Sequence, residues 1–340
     1  MLYFILMILV FGVLIFIHEF GHFITARWCG VAVKEFAVGM GPTVFSWKSK
    51  KYDTKYGLRL LPIGGFVSMV GEDEESDDDN AFCNKSIFKR MAIVLAGPLM
   101  NLILGFILMT VIVFSQGALA STTIAQFNEG AVSSQKLMVG DEIVKVDGTR
   151  VYTGNDMVYE IMNQGYEPID IEVIRDGERM TIEDVSFSTM EDSGVTFGQY
   201  DFIPYAEETN LPNLLKHSLT RSVSTVKMVY DSLIGLVTGR FGMESVSGPV
   251  GVAEVVGDAA KVGFSSFLYI VTVLTINLGV FNLIPFPALD GGRFLFLIIE
   301  GIRRKPINRD VESYINFAGI ILLFALMIFV TVKDVLNLFG

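Results

Sequence analysis

Four long apolar runs divide this chain. They cover about residues 2–26, 91–115, 264–283 and 315–332. Each is long enough to cross a bilayer as a helix, which takes roughly 20 apolar residues. Seventeen residues precede His18 and none of them is charged. The first run resembles a secretory leader, but it has no basic opening segment and no convincing small-residue cleavage site. It is therefore expected to stay as a span. Between spans two and three the pattern changes. Ile143-Val-Lys-Val146 alternates like a half-buried strand, residues 155–163 read as a helix, and Ile169–Arg175 with Arg179–Phe187 reads as a hairpin turned at Asp176-Gly177. Residues 43–71 read as a second hairpin followed by a bend at Gly64-Gly65, and 213–237 as an amphipathic helix. There is no internal repeat.

Composition agrees with a membrane protein: 51% of the 340 residues are hydrophobic, and mean hydropathy is +0.50. The net charge of −11, with no basic stripe, argues against a nucleic-acid partner. The acidic run Glu72–Asp79 reads as a solvated loop. Cys29 and Cys83 form no CxxC pair and are expected as free thiols.

Basic residues near the span ends set the orientation. Arg27, Lys34, Lys85, Lys89 and Arg90 flank spans one and two on one side, and Arg293, Arg303, Arg304, Lys305 and Arg309 follow span three. Only Lys261 and Lys333 lie on the opposite flanks. The N-terminus and residues 116–263 are thus expected outside, with 27–90 and 287–314 in the cytosol. The expected divisions are 1–115 as an N-terminal membrane part, 116–190 as a small α+β domain, 191–263 as a linker with an amphipathic helix, and 264–340 as a C-terminal membrane part.

Within this frame the polar residues inside the apolar runs carry the chemistry, because ionisable groups at such depth are costly and usually functional. His18-Glu19-Phe20-Gly21-His22 is an HExxH motif, and two of the chain's three histidines are in it. Positions i and i+4 share a helix face, so both rings can reach one metal ion with Glu19 beside them as general base. Zinc with two histidines needs a third ligand and an open position for water, whose pKa it lowers. Asp290, in Asn282-Leu-Ile-Pro-Phe-Pro-Ala-Leu-Asp290-Gly-Gly292, is the best candidate; an Asp before two glycines also reads as a turn or cap residue. Asn282 and Asn101 lie at matching depth, and either is able to donate to an oxyanion. Both also suit structural roles, an interhelical hydrogen bond for Asn101 and a cap for Asn282. His217 reads as a surface or packing residue.

These residues resemble the site-2 family of intramembrane zinc proteases. HEFGH, Gly97-Pro98-Leu-Met-Asn101 and the Asn282–Gly292 segment match that family's three elements in order and cover nearly the whole chain. The resemblance implies a polytopic α-helical membrane fold with four transmembrane helices and a zinc endopeptidase activity within or near the bilayer. It assigns His18, His22 and Asp290 to the metal, Glu19 to general base catalysis, and Asn282 and Asn101 to substrate or oxyanion contacts. The 43–71 segment is similar to a membrane-re-entrant β element beside the active site, with Gly64, Gly65 and Phe66 as substrate-binding positions able to take an unwound substrate by strand addition. The segment from Gly117 to Phe187 is similar to a single extracytoplasmic PDZ domain, expected to bind a peptide or to hold back untrimmed substrates. Ser247-Gly-Pro-Val-Gly251 matches a family element of unassigned role. The resemblance further implies a bacterial cytoplasmic-membrane location and single-span substrates, such as anti-sigma factors or signal-peptide remnants, trimmed beforehand by another protease. An ion or solute carrier and an inactive scaffold are the competing classes; absent inverted repeats argue against the first and an intact Glu19 against the second.

Overall fold

The computed structural model describes residues 2–72, 74–192 and 194–339. It separates into two units, residues 1–105 with 247–340, and residues 106–246.

Helix α1 (Leu2–Trp28) is apolar all round up to Ile17, as a span must be, and carries His18, Glu19 and His22 in its later turns. Strands β1 (Val33–Lys48) and β2 (Lys55–Met69) follow, then helix α2 (Ile87–Ser115), whose first-unit part ends at Gly105. The β1–β2 element is larger than the expected hairpin, because β1 begins ten residues before position 43. Both strands bend, at Gly39 and Gly41 in one and at Gly64 in the other, all with positive φ. Each bent half then finds its own partner. Phe45–Lys48 pair with Lys55–Leu58; Glu35–Val38 pair with Lys55–Leu58 and also with Gly65–Ser68. The glycines therefore turn one hairpin into four short layers, with residues 65–68 on an outer edge.

The second unit is built on a sheet in the order β10-β3-β4-β6-β7. Its members are β3 (Leu119–Phe127), β4 (Glu142–Val146), β5 (Thr149–Arg150), which hangs off β4, then β6 (Ile169–Arg175), β7 (Glu178–Val185) and β10 (Phe202–Glu207). Helix α3 (Gly154–Gln164) is capped by Thr153, whose hydroxyl and amide both meet the Asp156 carboxylate. The β6–β7 turn has positive φ at Asp176 and Gly177, as a tight right-twisting hairpin requires. Ile124, Ile143, Met157, Ile161, Ile171, Val173 and Phe202 fill the core.

The boundary expected at residue 190 is corrected by this sheet. Strands β8 (Ser188–Asp192) and β9 (Val195–Gln199) pair with each other, and β10 pairs with β3, so the first part of the region read as linker, up to Glu207, is β structure. Sequence concealed β10 because Pro204 interrupts it and only Phe202 along it is fully buried. Helix α4 (Leu211–Thr238) follows, capped by Asn210. His217 is a packing residue: it is buried, with Nε2 3.1 Å from Glu207 Oε2.

The chain returns to the first unit with α5 (Pro249–Val262), α6 (Phe264–Leu283), α7 (Asp290–Arg303) and α8 (Arg309–Phe339). Among the described residues, helices α1, α2, α6 and α8 are the four long and apolar enough to span a membrane. Only 11% of the apolar window of α8 is buried. Such an exposed apolar surface is unsustainable in water and natural in lipid.

Candidate metal centre

The site begins with a turn of α1. Its i, i+4 geometry puts His18 and His22 on one face, with Nε2 atoms 3.2 Å apart. That face meets α2 at very small residues. A Cβ on Gly21 would strike the Ala96 carbonyl, and one on Gly97 would strike the His22 ring. The approach lets His22 Nδ1 donate to the Ile93 carbonyl at 2.8 Å, which leaves the Nε2 lone pair directed into the site.

Asp290 arrives from the other end of the chain. Helix α6 stops at Leu283, and the Pro285–Pro287 segment makes a tight return to α7, where Asp290 is the first residue. The return is compact. A Cβ on Gly291 would overlap the backbone of Leu283 and Ile284, and one on Gly292 that of Phe286. Ala288 takes a positive φ of 74° with its amide held by Asn316 Oδ1. The two glycines therefore serve close packing, and the carboxylate is left pointing at the histidines.

Asp290 Oδ2 lies 3.0 Å from His18 Nε2 and 3.4 Å from His22 Nε2. With the 3.2 Å between the rings, the three donor atoms form a nearly equilateral triangle. A tetrahedral zinc ion with bonds of about 2.0–2.1 Å sets its ligands about 3.3 Å apart. Despite these short separations, Asp290 Oδ2 is buried with no hydrogen bond of good geometry among the described residues. The ring nitrogens thus converge on a shared point rather than on the carboxylate, and the donor set fits a divalent cation.

A cavity of about 290 Å³ opens on this triangle, lined also by Glu19, Phe66, Val67, Met69 and Asn282. Strand β2 crosses α1 beside Glu19. A Cβ on Gly65 would come within 3.2 Å of Glu19 Cγ, and the Val67 backbone lies next to the Glu19 carboxylate. Asn282 faces the cavity with its amide nitrogen tied to the Leu278 carbonyl at 2.9 Å, so one N–H of the pair remains. Asn101 is fully buried behind His18 and does not line the cavity; its Nδ2 lies 3.3 Å from His18 Nδ1. Of the three β2 positions singled out in the sequence, Phe66 lines the cavity, Gly65 packs against Glu19, and Gly64 packs on Met40.

Two ion pairs missed in the sequence hold this geometry. Arg90 on α2 grips Glu300 on α7 through its two terminal guanidinium nitrogens, and Arg293 on α7 pairs with Glu72 after β2. Glu72 and Arg293 stand where the site cavity meets a second, polar cavity of about 960 Å³. In the sequence both arginines registered only as topology markers, and nothing local pairs residues more than 200 positions apart.

Four apolar spans around a buried triangle of two imidazoles and a carboxylate define a membrane protein with a metalloprotease-type centre. Comparison with known proteins gives the class its name: the profile of peptidase family M50 matches residues 6–326, and the chain belongs to that family. It is 38% identical to a candidate zinc metalloprotease of Clostridium acetobutylicum, with 96% of each chain covered. It is 29% identical to the regulator of sigma-W protease RasP of Bacillus subtilis, with 98% of each covered. Identity to the zinc metalloprotease RasP of Geobacillus kaustophilus is 30%, over 98% of this chain and 97% of the relative.

Proposed function

We propose that this protein is a membrane-embedded zinc endopeptidase that cuts single-span membrane proteins in or near their transmembrane segments. The observation that carries the reading is the triangle of His18, His22 and Asp290 with Glu19 one residue from a ligand. A zinc ion held there supplies Lewis-acid activation of water and of the scissile carbonyl. Glu19 takes the proton from the attacking water and returns it to the leaving nitrogen. The free N–H of Asn282 faces the cavity, where charge develops on the carbonyl oxygen.

A helical substrate hides its peptide bonds and must be unwound first. The outer edge at residues 65–68, with Val67 directed at Glu19, supports strand addition as the way an extended substrate is held. Met40, Val44, Phe45, Trp47, Leu58, Leu60 and Leu61 are exposed on the same element, which supports its insertion into the bilayer as a re-entrant segment. The sheet and helix between residues 119 and 207 support an inserted PDZ-type domain, and the distribution of basic residues supports its lying on the extracytoplasmic side. The same distribution supports a metal centre facing the cytosol of a bacterial cell. Substrates of the anti-sigma-factor or signal-peptide-remnant kind, trimmed beforehand by another protease, fit both the site and the RasP relative's role as a regulator of sigma-W.

Glu19→Gln tests the reading. The purified variant keeps its fold and its zinc but loses cleavage of a single-span substrate, and membranes carrying it accumulate single-span stubs. Unchanged cleavage by the variant would remove the proposed base and the mechanism with it.

A further inference from the structure

We infer that Glu72 is a positioning residue that fixes the register of an extended substrate. It closes the free edge of β2 at Met69 and ties that end, through Arg293, to the helix that carries Asp290. The inference rests on the strand-addition and zinc readings above and adds to them what stops a substrate from sliding.

The geometry starts with alternation, because successive N–H groups of a strand point to opposite edges. The Val70 N–H donates to the Ala32 carbonyl at 2.9 Å, on the β1 side. The Met69 N–H therefore points to the outer edge, as does that of Val67, whose backbone lies next to the Glu19 carboxylate. Phe66, Val67, Met69 and Glu72 all line the metal cavity. The outer donor of Met69 is not open to a substrate, since it donates to Glu72 Oε2 at 3.2 Å. Gly71 makes this return possible: its φ is +69°, and a Cβ there would strike Ala81 Cβ and Cys83 Sγ. The chain doubles back, and Val67 is left as the last outer-edge residue that a substrate can pair with.

The other carboxylate oxygen is committed as well. Glu72 Oε1 pairs with Arg293 Nη1, in the first turn of α7 and one turn beyond Asp290. The Glu72 side chain is 13% exposed, so water and salt screen its contacts less than those of a surface pair. One side chain thus links the end of the proposed substrate edge to the helix that supplies the third donor of the triangle. Strand addition by itself leaves register open. Its main-chain hydrogen bonds repeat every second residue, and a slip by that repeat keeps each side chain on its face. Such a slip moves the scissile bond by roughly 6.5 Å, far beyond the misplacement of about 1 Å that already impairs catalysis. A clasp that closes the edge and is anchored to α7 supplies the stop.

The test reads the register directly. The full chain carries Cys29→Ser, Cys83→Ser and the inactivating Glu19→Gln, which leaves Ser68→Cys as its sole thiol. It is oxidised in membranes against a single-span substrate with a cysteine moved through successive positions. This parent chain is expected to cross-link at a single substrate position. Glu72→Ala and Arg293→Met each add cross-links about two residues to either side. Combining them adds nothing further, since either change breaks the same connection. With Glu19 restored, mass spectrometry finds product ends spread over the matching extra positions, and zinc content stays that of the wild type. A single unmoved cross-link in either variant overturns the inference while leaving strand addition standing. So does loss of zinc from either, which would put the pair in the service of the metal site instead. Cross-links at no position in the parent chain, or equally at all, remove strand addition and this inference together. Should Glu72→Ala not fold, Arg293→Met, which leaves Glu72 on Met69, decides alone.

Discussion

Gly97 sets how close His22, a proposed metal ligand, sits to α2. Any side chain there occupies the space of the His22 ring, and Gly21 enforces the same closeness from the facing helix through the Ala96 carbonyl. Overpacking a core contact costs about 1–3 kcal/mol, but here the displaced group is a proposed ligand. Gly97→Ala is therefore expected to insert into membranes normally yet lose zinc affinity by more than the roughly 10- to 100-fold that disturbing an outer partner costs. Metal analysis of the purified variant against its melting temperature checks this; full zinc occupancy would show that the ring has room. At this scale the sequence was informative where chemistry is local. His18, Glu19 and His22 need one helical turn to come together, so five consecutive residues reveal them. Asp290 needed a tight return 268 positions beyond His22 (290 − 22), which Pro285, Pro287 and the two glycines announce without fixing where it points. Asn101 shows the limit: position along a span gives depth, but not whether a side chain faces the cavity or the back of a histidine.

Among the elements, β1 and β2 matter most because they bring backbone to Glu19, the proposed base. Alternation and glycines announced a hairpin, but the pattern alone did not reveal that Glu35–Val38 would pair on two sides and leave residues 65–68 outermost. A Cβ at Gly65 would sit 3.0 Å from the Ala37 carbonyl and 3.2 Å from Glu19 Cγ, so Gly65→Val must push the strand away from the base. A displacement near 1 Å is enough to lower turnover on the order of 100-fold. The expected outcome is a fall of that size in kcat on a single-span substrate with zinc content unchanged, and an unaltered kcat would detach β2 from the reaction. Helix α7 illustrates the opposite case. Its placement depends on Arg90–Glu300 and Arg293–Glu72, contacts between residues far apart in sequence that no periodicity foretells.

Taken whole, the molecule carries its own reporters of orientation. Cys29 and Cys83 are its two cysteines, both free and partly exposed, and both lie in the segment that the basic residues place in the cytosol. A membrane-impermeant maleimide should leave both thiols untouched in intact cells and label them in inverted vesicles. Labelling from outside would reverse the orientation proposed for every span. The four spans themselves were legible to within a few residues, since length and continuous apolarity decide them. The extent of the second unit was not, since β10 joins its sheet from beyond an unrelated hairpin. The account as a whole depends on one zinc ion shared by the two ends of the chain. X-ray absorption at the zinc edge of the purified wild type tests it most directly. The prediction is one zinc per chain with two imidazoles and oxygen donors at roughly 2.0–2.1 Å, and loss of that zinc in Asp290→Ala; sulfur at about 2.3 Å, or an unchanged spectrum in the variant, would contradict it.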